Sequence, residues 1–445
     1  MTKEQIFILI SIVVFLIVGL FVKRTKISSI REFTMNKGKL NWFSVAAGIS
    51  MTFAGGAAIL NMSSLGYTFK WYTLVDPISL LIGIVIVLIS YKFYYNDNGI
   101  TISDLLSQNN NNLSILIGII TSFVFILIVS AQFVALSKLV SPYFPAINQL
   151  IITFILATSI FSYVFWGGFS SVTKTDILQL IFIIFFLIIP LLLYLLTNTK
   201  INITQSYSHQ FAKMPLNYII LFSIPILFIP LSQDINIRIK SAKNIKEGKL
   251  GLIIGGFLYL FIVVTASFIG ISLAKQGITL KDTETAYSLF FKNSFSGYGY
   301  IGIIAALAAI ASSLDSYTLN AITSFSNDIL KRFPFLEKTT SKELIKISAF
   351  VIYFVSMLIA LFFNEILTLV LTALLIYISV LFPIVFAKKI KIKDNYIFIS
   401  SILTICLIII VELFKINIPY KVIIYTLFGF SSILLFYLFQ KVTSR

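Results

Sequence analysis

A chain of 445 residues that is 58% hydrophobic and 11% charged carries less than half the charge of an ordinary soluble protein, about 25%, and reads as an integral membrane protein. Its 34 basic and 17 acidic residues leave a net charge of +17, which in a membrane protein reports loop orientation, so nucleic acid is not expected as a partner. A single cysteine, Cys406, and a single histidine, His209, exclude an internal disulfide, a thiolate metal site and a histidine cluster.

Thirteen apolar spans are predicted, near 5–22, 43–65, 73–95, 113–137, 146–166, 176–196, 216–236, 250–274, 298–326, 344–363, 365–387, 395–414 and 419–440. With the N-terminus outside, the inner loops hold most of the basic residues, at 23–39, 238–249, 331–346 and 388–393. The expectation is therefore an outside N-terminus, a cytoplasmic C-terminus and residence in a plasma membrane, the bacterial inner membrane. The first run, Ile6 to Val22, is followed by its positive cluster, Lys23-Arg24-Thr25-Lys26, and lacks a small-residue cleavage site. A retained helix is predicted there, not a secretory signal. No polar stretch is long enough for a soluble domain.

The span from Trp42 to Leu65 is interrupted by Phe53-Ala54-Gly55-Gly56-Ala57-Ala58. Paired glycines let a helix unwind and expose carbonyl oxygens, with close helix packing through small residues as the competing explanation. Thr101 to Gln108 predicts a short amphipathic turn at the inner surface, and Gln132 places an amide in the fourth span. Trp166 to Gln179 reads as a glycine turn leading into a helix whose first turn holds Asp176, a carboxylate suited to a helix terminus or to a cation. The span near 216–236 carries Pro225 and Pro230, then Ser232-Gln233-Asp234, and is a second interrupted helix. Counted from Trp42 the two breaks fall on the first and sixth core helices, matching places in two five-helix halves. Such a pair points to a transport site at the membrane midplane.

The segment from Tyr300 to Asp328 is then the eighth core helix. Ala309, Ser312, Ser313, Ser316 and Asn320 recur at offsets of three and four and form a polar stripe, with Asp315 at its edge. A carboxylate at membrane depth costs at least about 2.5 kcal/mol, so Asp315 is expected to face a partner, a cation or water. One serine here would read as a bond to a carbonyl a turn earlier; two adjacent serines beside Asp315 point to a cation site.

Taken in order, these motifs resemble the sodium:solute symporter family. G-G-F-S-S-V-T-K-T-D-I-L-Q at Gly167 to Gln179, Q-D-I-N-I-R-I-K-S-A-K at Gln233 to Lys243 and A-A-I-A-S-S-L-D-S at Ala308 to Ser316, with Asn327-Asp328 beyond, carry the resemblance. T-I-S-D-L-L at Thr101 and A-Q-F-V-A at Ala131 match more weakly. The resemblance implies an all-α integral membrane fold with a leucine-transporter-like 5+5 inverted-repeat core. Residues 42–197 would be the first five-helix repeat and 198–391 the second, with one extra helix and a basic loop in 1–41 and two extra helices in 392–445. It also implies a sodium site built from the Ser312 and Ser313 side chains and the carbonyls of Ala309, Phe53 and Gly56. Some members hold a second sodium at positions matching Asp176, Asp315 and Ser316. Sodium is a hard cation that prefers oxygen ligands, and unwound backbone supplies them. The Gly55-Gly56-Ala57-Ala58 run lacks the polar residues that sugar and sialic-acid carriers of the family show there, and asparagines stand after the Thr101 turn where the family has a basic residue.

The function so implied is a sodium-coupled secondary symporter importing a small organic solute by alternating access, with sodium as coupling ion and no organic cofactor. Asn61, Gln132, Gln233 and Asp234 are candidate substrate contacts, Asp234 being equally placed to pair with Arg238 one turn on. No arginine or lysine is placed deep in a core helix, so a substrate carboxylate would have only helix N-termini to meet. The expected partners are the solute and the lipid bilayer, in a monomeric or weakly oligomeric state. An enzyme is not expected, since no nucleophile–base pair, metal constellation or phosphate loop is present. The alternatives are a proton-coupled carrier of the same fold, with Asp315 or Asp176 carrying the proton, and a solute-sensing membrane module acting on a partner.

Overall fold

The computed structural model describes residues 2–20, 27–108, 110–197, 211–280, 282–295, 297–414 and 420–443. Among them the regular structure is helical, with one isolated bridge between Leu40 and Ala242. Named in chain order, the elements used below are α1 (Lys3–Leu20), α2 (Trp42–Phe53), α3 (Met62–Phe69), α4 (Val75–Ile89), α5 (Asn111–Val140), α6 (Gln149–Ile183), α7 (Pro225–Leu231), α8 (Gln233–Ser241), α9 (Ile245–Lys275), α10 (Tyr300–Ser324), α11 (Ser341–Phe362), α12 (Ile366–Lys389), α13 (Asp394–Leu413) and α14 (Lys421–Thr443). Large apolar side chains such as Leu196, Phe350, Phe354 and Leu435 stand exposed on the outside of the bundle, as a lipid solvent permits.

Eleven stretches among the described residues are long and apolar enough to cross a membrane. One of them, Gln149–Leu196, has 48 residues and would be about 72 Å long if straight, more than twice the hydrocarbon thickness. It does not run straight. Gly168 takes a left-handed φ of 53° inside α6, a conformation that glycine adopts without strain. The hydroxyls of Tyr163 and Thr175, on either side of that glycine, both donate to Oδ2 of Asp315, so the chain turns back and makes two spans. With this turn, and with Trp42–Phe53 joined to α3 as a further crossing, the expected thirteen spans are present.

Local chemistry starts these helices where the sequence offers a cap. Asn41, Asn110 and Asn244 each accept a backbone N–H in the first turn that follows them, and Thr101 with Asp104 and Thr340 with Glu343 form reciprocal capping boxes. At the basic end of the bundle, Lys39 and Leu40 donate to the carbonyl of Ser241 and Lys243 donates to that of Leu40. The start of one broken helix is thereby tied to the end of the other, as an inverted repeat requires. The eighth core helix, α10, lies at the centre, buried from Gly302 to Ser324 and packed against α5 and α6.

Both breaks are present. α2 ends at Phe53, the chain bends at Ala54 and Gly55, and a π-type turn over Ala57–Asn61 leads into α3. In the sixth core helix α7 ends at Leu231, Ser232 is extended with ψ 124°, and α8 restarts at Gln233. The interruption therefore falls two residues after Pro230.

Candidate functional site

At the first break the backbone is closed over by small neutral groups. The Ser313 hydroxyl donates to the carbonyl of Thr52 at 2.5 Å and stands 3.3 Å from that of Met51, and the Gly56 N–H donates to Oε1 of Gln132 at 2.9 Å. Neither glycine has room for a side chain. A Cβ on Gly55 would lie 2.4 Å from Ser313 Oγ, and one on Gly56 2.5 Å from the Ala135 methyl. The carbonyls that Ser313 reaches belong to Thr52 and Met51, one and two residues before Phe53, because α2 keeps helical register up to Phe53.

Ser312 faces the other way and donates to Oδ1 of Asp176 at 2.5 Å. Asp176 is not in the first turn of its helix; it lies more than two turns beyond Gly168, fully buried, because α6 resumes directly after the turn. Its other oxygen pairs with Nη2 of Arg238 at 3.0 Å, and Nε of Arg238 pairs with Asp234 at 2.7 Å. The same Nη2 donates to the hydroxyls of Thr52 at 2.9 Å and Ser316 at 3.3 Å. The expectation that no basic side chain reaches deep into a core helix is thus corrected. Arg238, counted among the inner-loop charges, is fully buried, and a Cβ on Gly48 would collide with its guanidinium. Two carboxylates and two hydroxyls hold its Nε and Nη2, while Nη1 has no protein partner; the paired charges are what make a buried guanidinium tolerable. Lys240 is likewise buried and pairs with Asp97 at 2.5 Å. Asp315 receives Tyr163 and Thr175 on one oxygen, each at 2.9 Å, while its Oδ1 has no protein donor.

A cavity of about 90 Å³ lies against the first break, lined among others by Thr52, Phe53, Gly55, Asp76, Gln132, Tyr259, Ser313 and Tyr317. It shares Leu221 and Leu371 with a larger cavity of about 940 Å³ at the end of the bundle opposite the basic loops. It shares no lining residue with the clefts at the basic end. Of the four candidate substrate contacts, Gln132 lines this cavity. Asn61 is buried in the π-type turn with its Nδ2 unpartnered. Gln233 is bonded to α10 through the Asn320 carbonyl and the Ser324 hydroxyl. Asp234 is held by Arg238, as the one-turn spacing allows. All three lie outside the cavity lining, Gln233 and Asp234 because the stretch after Ser232 is helical and turned toward α10 and α6. Ala309 is buried on α10.

Sequence reasoning missed Asp76 and Tyr259, whose side chains meet across the cavity at 2.6 Å. The only local signal was a lone aspartate opening an apolar run.

A family profile described as Sodium:solute symporter family matches residues 33–391 of this chain. Among curated proteins, the osmoregulated proline transporter OpuE of Bacillus subtilis (strain 168) is 26% identical over 291 residues, spanning 60% of this chain and 58% of that relative's length. Among solved structures, a substrate-bound, outward-open sodium-coupled sialic acid symporter matches with a TM-score of 0.72 at 16% identity, over 98% of this chain and 97% of that one. Mhp1, a nucleobase-cation-symport-1 family transporter in a closed conformation, matches with a TM-score of 0.61 at 12% identity, over 91% and 93%. At such identities these structures attest the fold.

Proposed function

This chain belongs to the sodium:solute symporter family, and we propose that it couples inward sodium movement to uptake of a small organic solute by alternating access. The observation that carries the reading is the contact between Ser313 and the Thr52 carbonyl beside Gly55. It joins the broken first core helix to the eighth alongside the Thr52–Ser316 hydroxyl bond, and a monovalent cation can replace this neutral hydrogen bond by binding both of its oxygens. In this reading sodium takes the Ser313 hydroxyl oxygen, that of Ser312 once it turns from Asp176, the Ala309 carbonyl and carbonyls at the break, in the stretch from Thr52 through Phe53 to Gly56. Its charge draws the two helices together, and since Ser313, Gly55 and Phe53 also line the central cavity, the ion and the solute stabilise one another's site.

A second sodium at Asp176, Asp315 and Ser316 would have to compete with Arg238, already in contact with Asp176 and Ser316. The reading therefore takes one sodium per cycle. Placing the basic end in the cytoplasm, as the loop charges favour, puts the N-terminus outside and makes the central cavity's proximity to the larger one, with Leu221 and Leu371 lining both, an outward-facing arrangement. Residues 42–197 and 198–391 are then the two repeats, in a bacterial inner membrane. The name of the OpuE relative makes proline a sensible first solute to try. The test is uptake into proteoliposomes with and without an inward sodium gradient. Sodium-stimulated uptake is expected in the wild type and its loss in the Ser312→Ala/Ser313→Ala double variant; uptake driven equally by a pH gradient without sodium would replace the reading with proton coupling.

A further inference from the structure

The central cavity has one ionisable acid in its lining and no basic residue. Asp76, in the first turn of α4, lines it together with five aromatic side chains, Phe53, Phe222, Phe228, Tyr259 and Tyr317. Oδ2 of Asp76 accepts the Tyr259 hydroxyl, and the Tyr259 ring meets that of Phe53 edge to face at 6.2 Å. Among the described residues no lysine or arginine pairs with Asp76, and its Oδ1 receives no protein donor. A carboxylate in the first turn of a helix has a structural use, since it complements the helix dipole. Here, however, the side chain is turned across the cavity to a hydroxyl on α9. The one buried guanidinium among the described residues is engaged elsewhere, on Asp176 and Asp234, so the negative charge facing the cavity is left for whatever enters.

We propose that the transported solute carries a positively charged nitrogen, as an amino acid or a small organic cation does, and that Asp76 receives it within the aromatic wall of Phe53, Tyr259 and Tyr317. A carboxylate supplies the opposite charge, and aromatic rings attract ammonium groups through their electron-rich faces without demanding hydrogen bonds. Gln132, which lines the same cavity, supplies a neutral amide for the remainder of the solute. The assignment rests on the symport reading and adds the solute's charge to it.

Four radiolabelled probes test it in proteoliposomes of purified protein: proline and choline, which carry a cationic nitrogen, and glucose and lactate, which do not. Sodium-driven uptake of proline or of choline is expected, and which of the two is carried tells the amino acid from the organic cation. Asp76→Asn should raise the KM for that probe by about tenfold or more with the half-saturating sodium concentration, read at saturating solute, unchanged, and Asp76→Glu should recover part of the loss. Uptake confined to glucose or lactate, failure to carry either amine, an amine KM untouched by Asp76→Asn, or a change confined to sodium half-saturation would each overturn the assignment. Amine uptake that ignores sodium but still weakens in Asp76→Asn would keep the amine site and remove the symport reading. A monodisperse elution profile of purified Asp76→Asn, matching that of the wild type, serves as the folding control.

Discussion

The two broken helices are alike in topology and opposite in chemistry. At the second break the backbone is already provided for: the Tyr94 and Tyr377 hydroxyls donate to the carbonyls of Pro230 and Leu231, and the helix that follows is pinned by the buried Asp234–Arg238–Asp176 chain. At the first break the carbonyls of Met51 and Thr52 meet one serine hydroxyl, and the peptide beyond meets one glutamine amide. An ion can exchange with neutral contacts of this kind, each worth about 1 kcal/mol, far more readily than with a paired guanidinium. One break is therefore a fixed strut and the other an adjustable joint.

The largest effect should come from breaking the strut. Arg238→Gln leaves Asp176 and Asp234 buried without their cation and should cost about 3–5 kcal/mol, read as a fall in the melting temperature of the detergent-solubilised protein. Adding Asp176→Asn should recover part of that loss, and additive losses would show that the pair is not a unit. Next comes the joint itself. Gly55→Ala drives a methyl into Ser313 at a cost of about 1–3 kcal/mol, and it should raise the half-saturating sodium concentration by about tenfold or more while melting changes less than in Arg238→Gln. The smallest effect is expected from Gln132→Ala, which frees the Gly56 N–H. About 1 kcal/mol of stability should be lost, with a rise in solute KM since Gln132 also lines the cavity.

Much of this contrast was legible in the sequence because it is written in residue types that act locally. Gly55-Gly56 and Pro230 interrupt helices wherever they stand, and the small polar stripe on α10 is a matter of spacing along one helix. What escaped depends on partners far away in the chain. Arg238 follows an amphipathic stretch and precedes a basic loop, so it reads as a loop charge until Asp176, 62 residues earlier, comes within reach. Asp76 reads as the start of a helix until Tyr259, 183 residues later, turns toward it. The offset from Phe53 to Thr52 in the carbonyl facing Ser313 depends on where α2 stops, which glycine and alanine codons leave open by a residue or two. Asp176 moved from first turn to mid-helix for a similar reason, since Gly168 bends the chain without spending any residues on a loop.

The adjustable joint is best tested by sodium itself, without any solute. Equilibrium binding of sodium-22 to purified protein should be saturable, and the Ser312→Ala/Ser313→Ala double variant should bind at least about tenfold more weakly, roughly 1.4 kcal/mol, while its melting temperature, lowered by loss of the Ser312–Asp176 and Ser313–Thr52 hydrogen bonds, stays above that of Arg238→Gln. Equal sodium binding by both proteins would contradict the placement of the ion between the first break and the eighth core helix.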